Sequence, residues 1–253
     1  LLEKNKYDSS DFFSHVTKNN QVRSEETEKL EAQLVKFGGS SEAKSRLVGS
    51  ATDGLFFSLL SSGLKEGSRI GITAYSFHAS GSCIVRAGFV PVFIDVDMNG
   101  LMNLDELENI AESLDGVIVV QLFGSLIDEK RLVNICSSYN IKFIEDAAQR
   151  HIFSKTLLNS KLCISSVLSF DPFKIFSGIG TGGAVITKNK NIAAKITELR
   201  YHGNRCEIQG FNSQISECSA WLIRKKIENF LEWQDRRKNV AENGVGKNVR
   251  FSS

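Results

Sequence analysis

Short apolar runs recur along the chain, and between them apolar residues return at helical spacing. The runs at 69–73, 90–94, 116–121, 142–145, 163–169 and 184–187 are bounded by polar or turn-forming residues, which predicts buried strands. Stretches near 52–63, 77–87, 104–113, 128–139, 190–200 and 214–238 carry the helical period. A further helix is predicted over 24–37. Ser24 stands at its cap, Glu25 and Glu26 suit its positive end, and Leu30, Leu34 and Phe37 fall on one face. Strands alternating with helices give an α/β fold with a mostly parallel sheet. Such sheets place ligands outside the carboxyl ends of their strands. Residues 1–22 are polar with little periodicity and read as an arm.

Two polar residues follow apolar strands in a way that suggests chemistry. Lys174 closes the segment Ser169-Phe-Asp-Pro-Phe-Lys174, after the run at 162–168 and before a glycine-rich turn. A lysine desolvated on such a loop becomes a nucleophile toward an aldehyde. Asp146 lies in Glu145-Asp-Ala-Ala-Gln149, at the end of another strand. A carboxylate facing a pyridinium nitrogen and an amine facing an aldehyde are the pairing of a pyridoxal phosphate site. The ordinary readings are a solvated lysine and a helix-capping aspartate. Gly49-Ser-Ala-Thr-Asp-Gly54 opens a helix with Leu55, Leu59 and Leu60 on its apolar face. Its small residues let backbone amides approach an oxyanion, and a plain helix cap is the alternative. Gly178-Ile-Gly-Thr-Gly-Gly183 formally matches a dinucleotide fingerprint, but a strand-like run follows it where a helix is required. We read it as the tight turn behind the lysine loop.

Composition narrows the classes. The content is 42% hydrophobic and 24% charged, ordinary for a soluble globular protein. A net charge of +2 comes from 31 basic and 29 acidic residues without a basic stripe, which argues against a nucleic-acid partner. No apolar run is long enough to span a bilayer, so no membrane role is expected. Five dispersed cysteines without a CxxC pair read as reduced thiols, and with no secretory pattern at the start the expected location is cytoplasmic. The chain opens on Leu1 and ends on a polar segment at 248–253, which leads us to expect an incomplete chain.

Eight segments in order resemble the DegT/StrS-type family of pyridoxal-phosphate-dependent sugar aminotransferases. They are Gly49-Ser-Ala-Thr-Asp-Gly-Leu55, Ala74-Tyr-Ser-Phe-His-Ala79, Pro91-Val-Phe-Ile-Asp-Val-Asp97, Glu145-Asp-Ala-Ala-Gln-Arg-His151, Ser169-Phe-Asp-Pro-Phe-Lys174, Gly182-Gly-Ala-Val-Ile-Thr187, Leu199-Arg-Tyr-His-Gly203 and Gly210-Phe-Asn-Ser-Gln214. The resemblance implies a three-layer large domain over 23–238, as in aspartate-aminotransferase-like enzymes, and a truncated tail over 239–253 toward a missing C-terminal domain. It implies pyridoxal 5'-phosphate as cofactor, joined to Lys174 and paired at its ring nitrogen with Asp146. It also implies a phosphate cup at Ala51, Thr52 and Asp53, where the family usually has glycine at position 51, with Ser169 as a second phosphate donor. Phe77 would stack on the ring, Gln149 would bond on its phenolic side, and His151 would stand behind the site. Asn212 would reach the neighbouring subunit's cofactor, which implies a homodimer.

The implied reaction moves an amino group from an amino acid, expected to be glutamate, to a keto group on a nucleotide-linked deoxysugar. Two other readings stand beside it. A dehydratase of the same fold carries histidine in place of the lysine, and Lys174 argues against it. A non-catalytic paralogue would bind or regulate. Ile175 and Gln214 depart from the family's asparagine and arginine, and we expect both to bear on sugar preference.

Overall fold

The computed structural model describes residues 24–39, 41–150, 155–203 and 208–244. The expected arm at 1–22, His151, and residues 245–253 of the expected tail lie outside them. The strands are β1 (Lys44–Val48), β2 (Arg69–Thr73), β3 (Val90–Ile94), β4 (Gly116–Val120), β5 (Lys142–Asp146), β6 (Cys163–Ser169) and β7 (Gly183–Thr187). They form one sheet in the order β1-β7-β6-β5-β4-β2-β3. Neighbours are parallel from β6 to β3, and β7 runs antiparallel to both β1 and β6. The α/β class and the mostly parallel sheet are therefore as the sequence implies.

The helices are α1 (Glu25–Val35), α2 (Ala51–Leu60), α3 (His78–Arg86), α4 (Leu104–Ile110), α5 (Glu129–Ser138), α6 (Lys190–Leu199), α7 (Glu217–Glu228) and α8 (Phe230–Gly244). They cover both faces of the sheet. Along β7, Val185 joins the core that contains Leu55 and Phe57 of α2, while Ala184 and Ile186 join a smaller core with Leu30 and Leu34 of α1 and Ile223 and Ile227 of α7. That alternation follows from the two-residue period of a strand, and it makes three layers.

Three details differ from the sequence reading. Strand β1 was not among the expected strands. Lys44 and Arg46 interrupt its apolar pattern, and Arg46 is held by Thr197 and Glu31 from other elements. The single helix expected over 214–238 is two helices, because at Asn229 the side-chain Nδ2 donates to the carbonyl of Lys225 and competes with the helix ladder. The second of them, α8, continues to Gly244, into the segment expected to be tail. Ser24 does not cap α1 with its side chain. The buried carboxylate of Glu217 does so, accepting from the amides of Ser24 (2.7 Å), Glu26 (2.9 Å) and Thr27 (3.3 Å).

Among the described residues no helix is long and apolar enough to cross a membrane, and no group of three or more His, Cys, Asp or Glu could hold a metal ion. Cys83, Cys136, Cys163 and Cys218 are free, and Cys206 lies outside the described residues.

Candidate active site

A cavity of about 450 Å³ opens at the carboxyl ends of β4, β5 and β6. Ala51, Thr52, Phe77, Asp146, Gln149, Ser169 and Lys174 all line it. The fold thus brings together seven of the side chains singled out in sequence. Asp53 and Asn212 are not in the lining.

The lysine loop is shaped by its own residues and tied to α7, where Ser219 Oγ accepts from the amide of Ile179 and Lys226 Nζ donates to Ser177. The amide of Phe170 donates to the carbonyl of Gly182, and the amide of Gly178 donates to the carbonyl of Phe170, which ties the loop at its base. Asp171 folds the tip: its Oδ1 accepts from the amide of Phe173 at 3.0 Å, and its carbonyl accepts from the amide of Lys174 at 2.9 Å. Short polar side chains favour such local turns, and Pro172 fixes one more dihedral. Lys174 is half-buried, and its Nζ makes no hydrogen bond or ion pair among the described residues.

Asp146 is 4% exposed. Its Oδ2 accepts from Ser80 Oγ at 2.7 Å, and its Oδ1 accepts from the amide of Ala148 at 3.1 Å. Burial pushes its carboxyl above the usual aspartate range, while the bonds from Ser80 and Ala148 and the charge of Lys174 act in the opposite direction. The neighbouring Glu145 is also buried. It pairs with Arg150 at 3.3 Å and accepts from Thr156 Oγ1 at 2.8 Å. This network anchors the start of the 146–150 loop beneath the cavity.

The N-terminus of α2 faces the same space. Ser50 caps it, with its Oγ accepting from the amide of Asp53 at 3.0 Å. The amide of Asp53 is thereby used within the cap, whereas those of Ala51 and Thr52 have no partner inside the helix. The helix can approach β7 because Gly183 has no side chain. A Cβ there would stand 2.6 Å from the Ala51 nitrogen and 2.7 Å from the Ser50 carbonyl carbon. The Asp53 carboxylate turns the other way, to Ser213 Oγ at 2.8 Å and Arg86 at 3.1 Å. Ser213 Oγ also accepts from the amide of Gly49 at 2.9 Å, so Asp53 links the α2 entry to the loop that carries Asn212. Asn212 is exposed, and its Oδ1 accepts from Gln214 Nε2 at 3.2 Å.

Phe77 caps α3 at the cavity mouth, 60% exposed, with its ring 4.1 Å from that of His78. Gln149 Oε1 accepts from the amide of Phe123, a residue held at positive φ. Ser169 Oγ accepts from the amide of Asp171 at 3.4 Å and keeps its own proton to donate. Ile175 and Gln214, the two positions expected to bear on sugar preference, are absent from this lining. Ile175 packs on the smaller core, and Gln214 lines a different cavity of about 520 Å³ with Arg200 and Glu31. Sequence reasoning missed Ser80, Asp171 and Thr181, all in the lining. Asp171 and Thr181 stand inside the lysine segment and the glycine-rich turn, whereas Ser80 lies close to Ser82 with no signal in the sequence to separate the two.

The donor set fits pyridoxal phosphate. Two orphan amides at a helix N-terminus suit a phosphate. A buried carboxylate suits a protonated ring nitrogen, an unpaired amine suits an aldehyde, and an exposed phenylalanine at the mouth offers a flat face.

Comparison with known proteins agrees. The profile of the DegT/DnrJ/EryC1/StrS aminotransferase family matches residues 5–243. A pleiotropic regulatory protein of Geobacillus stearothermophilus is 30% identical over 225 residues, covering 84% of this chain and 59% of that protein. The UDP-2-acetamido-2-deoxy-3-oxo-D-glucuronate aminotransferase of Pseudomonas aeruginosa is 30% identical over 226 residues, covering 85% of this chain and 62% of the relative. Among solved structures, S. venezuelae DesV superposes with a TM-score of 0.83 at 22% identity, over 92% of this chain and 64% of that one, which shows a shared fold. The chain thus spans about three fifths of the length of these curated relatives. By profile and by identity to these relatives, the chain belongs to the DegT/DnrJ/EryC1/StrS aminotransferase family.

Proposed function

We propose that the protein is a pyridoxal-phosphate-dependent sugar aminotransferase that takes its amino group from glutamate and delivers it to a keto carbon of a nucleotide-linked deoxysugar. The observation that carries this reading is that Lys174 and Asp146 open into one cavity together with the free amides at the start of α2. Bound pyridoxal phosphate supplies an aldehyde that condenses with amines and a pyridinium ring that accepts electrons from a deprotonated carbon.

The chain's own residues have separate tasks. The amides of Ala51 and Thr52 and the hydroxyl of Ser169 hold the phosphate. Asp53 serves the cup indirectly, by fixing the α2 entry through Ser213. Asp146 would set its carboxylate against the ring nitrogen and favour a proton there. Phe77 covers one face of the ring and excludes water from it. Gln149 presents its amide to the phenolic side. Lys174 Nζ, half-buried in the cavity lining, would hold the cofactor's aldehyde and, once free again, would serve as the base for the amino acid's α proton.

The sugar acceptor rests on the relatives, one of which is named for a UDP-linked keto sugar. The functional unit in this reading is a cytoplasmic homodimer, with Asn212 reaching the partner's phosphate. Exposed Phe77, Phe93, Met98, Phe123 and Phe173 supply apolar surface for the partner to cover. The free thiols suit a reducing compartment.

Turnover is the test. The cofactor-loaded protein should convert glutamate to 2-oxoglutarate and then aminate a nucleotide-linked keto sugar. No 2-oxoglutarate from glutamate would remove the assigned donor. Failure of every amino donor would favour the binding or regulatory reading, for which the name of the G. stearothermophilus relative is the supporting observation.

A further inference from the structure

Among the described residues, several serines in or beside helices donate to a carbonyl of the same helix. Ser58 Oγ donates to the carbonyl of Gly54, Ser62 Oγ to that of Leu59, and Ser82 Oγ to that of Ala79. These are the local bonds expected of a hydroxyl in or next to a helix. Ser80 breaks the pattern. It sits in the first turn of α3, is 2% exposed, and lines the cavity. Its Oγ leaves its own helix and donates to Asp146 Oδ2 at 2.7 Å, within the range of charge-assisted bonds.

We infer that Ser80 is a positioning residue for Asp146: its hydroxyl holds one carboxylate oxygen, and so keeps Asp146 aimed and charged toward the ring nitrogen of bound pyridoxal phosphate. The inference rests on the cofactor reading given above and adds a residue to it. The geometry is a two-point clamp. Ser80 takes Oδ2 from the α3 side, and the amide of Ala148 takes Oδ1 from the loop after β5. With both oxygens held, rotation of the carboxylate is opposed, and Asp146 is held in the cavity lining.

The groups around this carboxylate are few. Lys174 faces it from the loop after β6 and favours its charge, and Glu145 adjoins it on β5 and disfavours it, itself paired with Arg150. Cys83 lies on the next turn of α3, and burial together with the charge of Asp146 pushes its thiol up to about 12, so it is neutral. In a dry site, one hydroxyl donor is a large fraction of what opposes protonation of Asp146.

The experiment measures the dissociation constant for pyridoxal phosphate through the acid and neutral range, in the wild type, Ser80→Ala and Ser80→Thr. The same serine variants are made in an Asp146→Asn background. Ionisations of the cofactor itself are common to all variants and cancel in the comparison. Ser80→Ala should weaken binding about tenfold at neutral pH, the worth of one hydrogen bond to a charged group. It should also move the acid limb of binding up by about one pH unit, because an undonated carboxylate protonates sooner. Ser80→Thr, which keeps the hydroxyl, should restore both. With Asp146 replaced, Ser80→Ala should change neither. A Ser80→Ala effect of equal size at every pH, or one that persists in Asp146→Asn, would overturn the role of Ser80 while leaving the cofactor reading intact. A wild type that binds no pyridoxal phosphate at any pH would overturn the cofactor reading, and the role of Ser80 with it.

Discussion

Asp146 is the residue where stability and function pull apart. Burial raises its carboxyl above the usual range, so in the cofactor-free chain the folded state binds this proton more readily than the unfolded state. The stability contributed by this group is fully present below the unfolded value, about 4, and is lost as pH rises through the folded one. Asp146→Asn should therefore raise the melting temperature of the cofactor-free protein at neutral pH, by about 2–4 °C per kcal/mol of relieved burial cost. The gain should shrink as the pH falls. The same variant should bind pyridoxal phosphate about 10- to 100-fold more weakly, since it loses a charged partner for the ring nitrogen. Calorimetry and equilibrium binding check the two halves, and unchanged affinity would contradict the role. Asp146 and Lys174 are legible in the sequence because each follows a buried strand and stands beside turn-forming residues. Ser80 is not, because Ala79-Ser-Gly-Ser82 offers two hydroxyls and only the fold shows which one meets a carboxylate 66 positions away.

At the scale of elements, α1 is the instructive case. Sequence places Ser24 at its cap, a sound local reading, yet three of its first amides go to Glu217. That carboxylate is brought from the start of α7 by packing of the two helices on one face of the sheet, and no local pattern records it. Glu217→Ala should cost about 2–3 kcal/mol, because it strips a charged acceptor from buried amides and leaves them unpaired. Ser24→Ala, which removes no side-chain cap bond, should stay within about 0.5 kcal/mol. Urea unfolding of the two variants would separate them, and equal losses would restore the sequence reading. Strand β1 was hidden for a related reason: the partners that shelter Arg46 lie on α1 and α6. Most of the remaining strands are visible because their apolar runs are buried on both faces, as in a parallel sheet with helices on each side, whereas edge strand β3 is apolar but partly exposed.

For the whole molecule, the alternation of strands and helices implies the class of fold, whereas the strand order does not follow from it. The order β1-β7-β6-β5-β4-β2-β3 brings β5 and β6 side by side, and this adjacency puts Asp146 and Lys174 into one cavity. Exposed aromatic side chains remain around that cavity, including Phe173 at 95% exposure. We expect a second copy to cover them, so sedimentation should show a dimer when the cofactor is bound. A cofactor-loaded, active monomer would contradict that assembly. The central claim is that this cavity holds pyridoxal phosphate joined to Lys174. Its most direct test is borohydride reduction of the loaded protein followed by peptide mapping. The account predicts the cofactor fixed on the peptide containing Lys174. Fixation on another lysine, or none in protein shown to hold the cofactor, would contradict it.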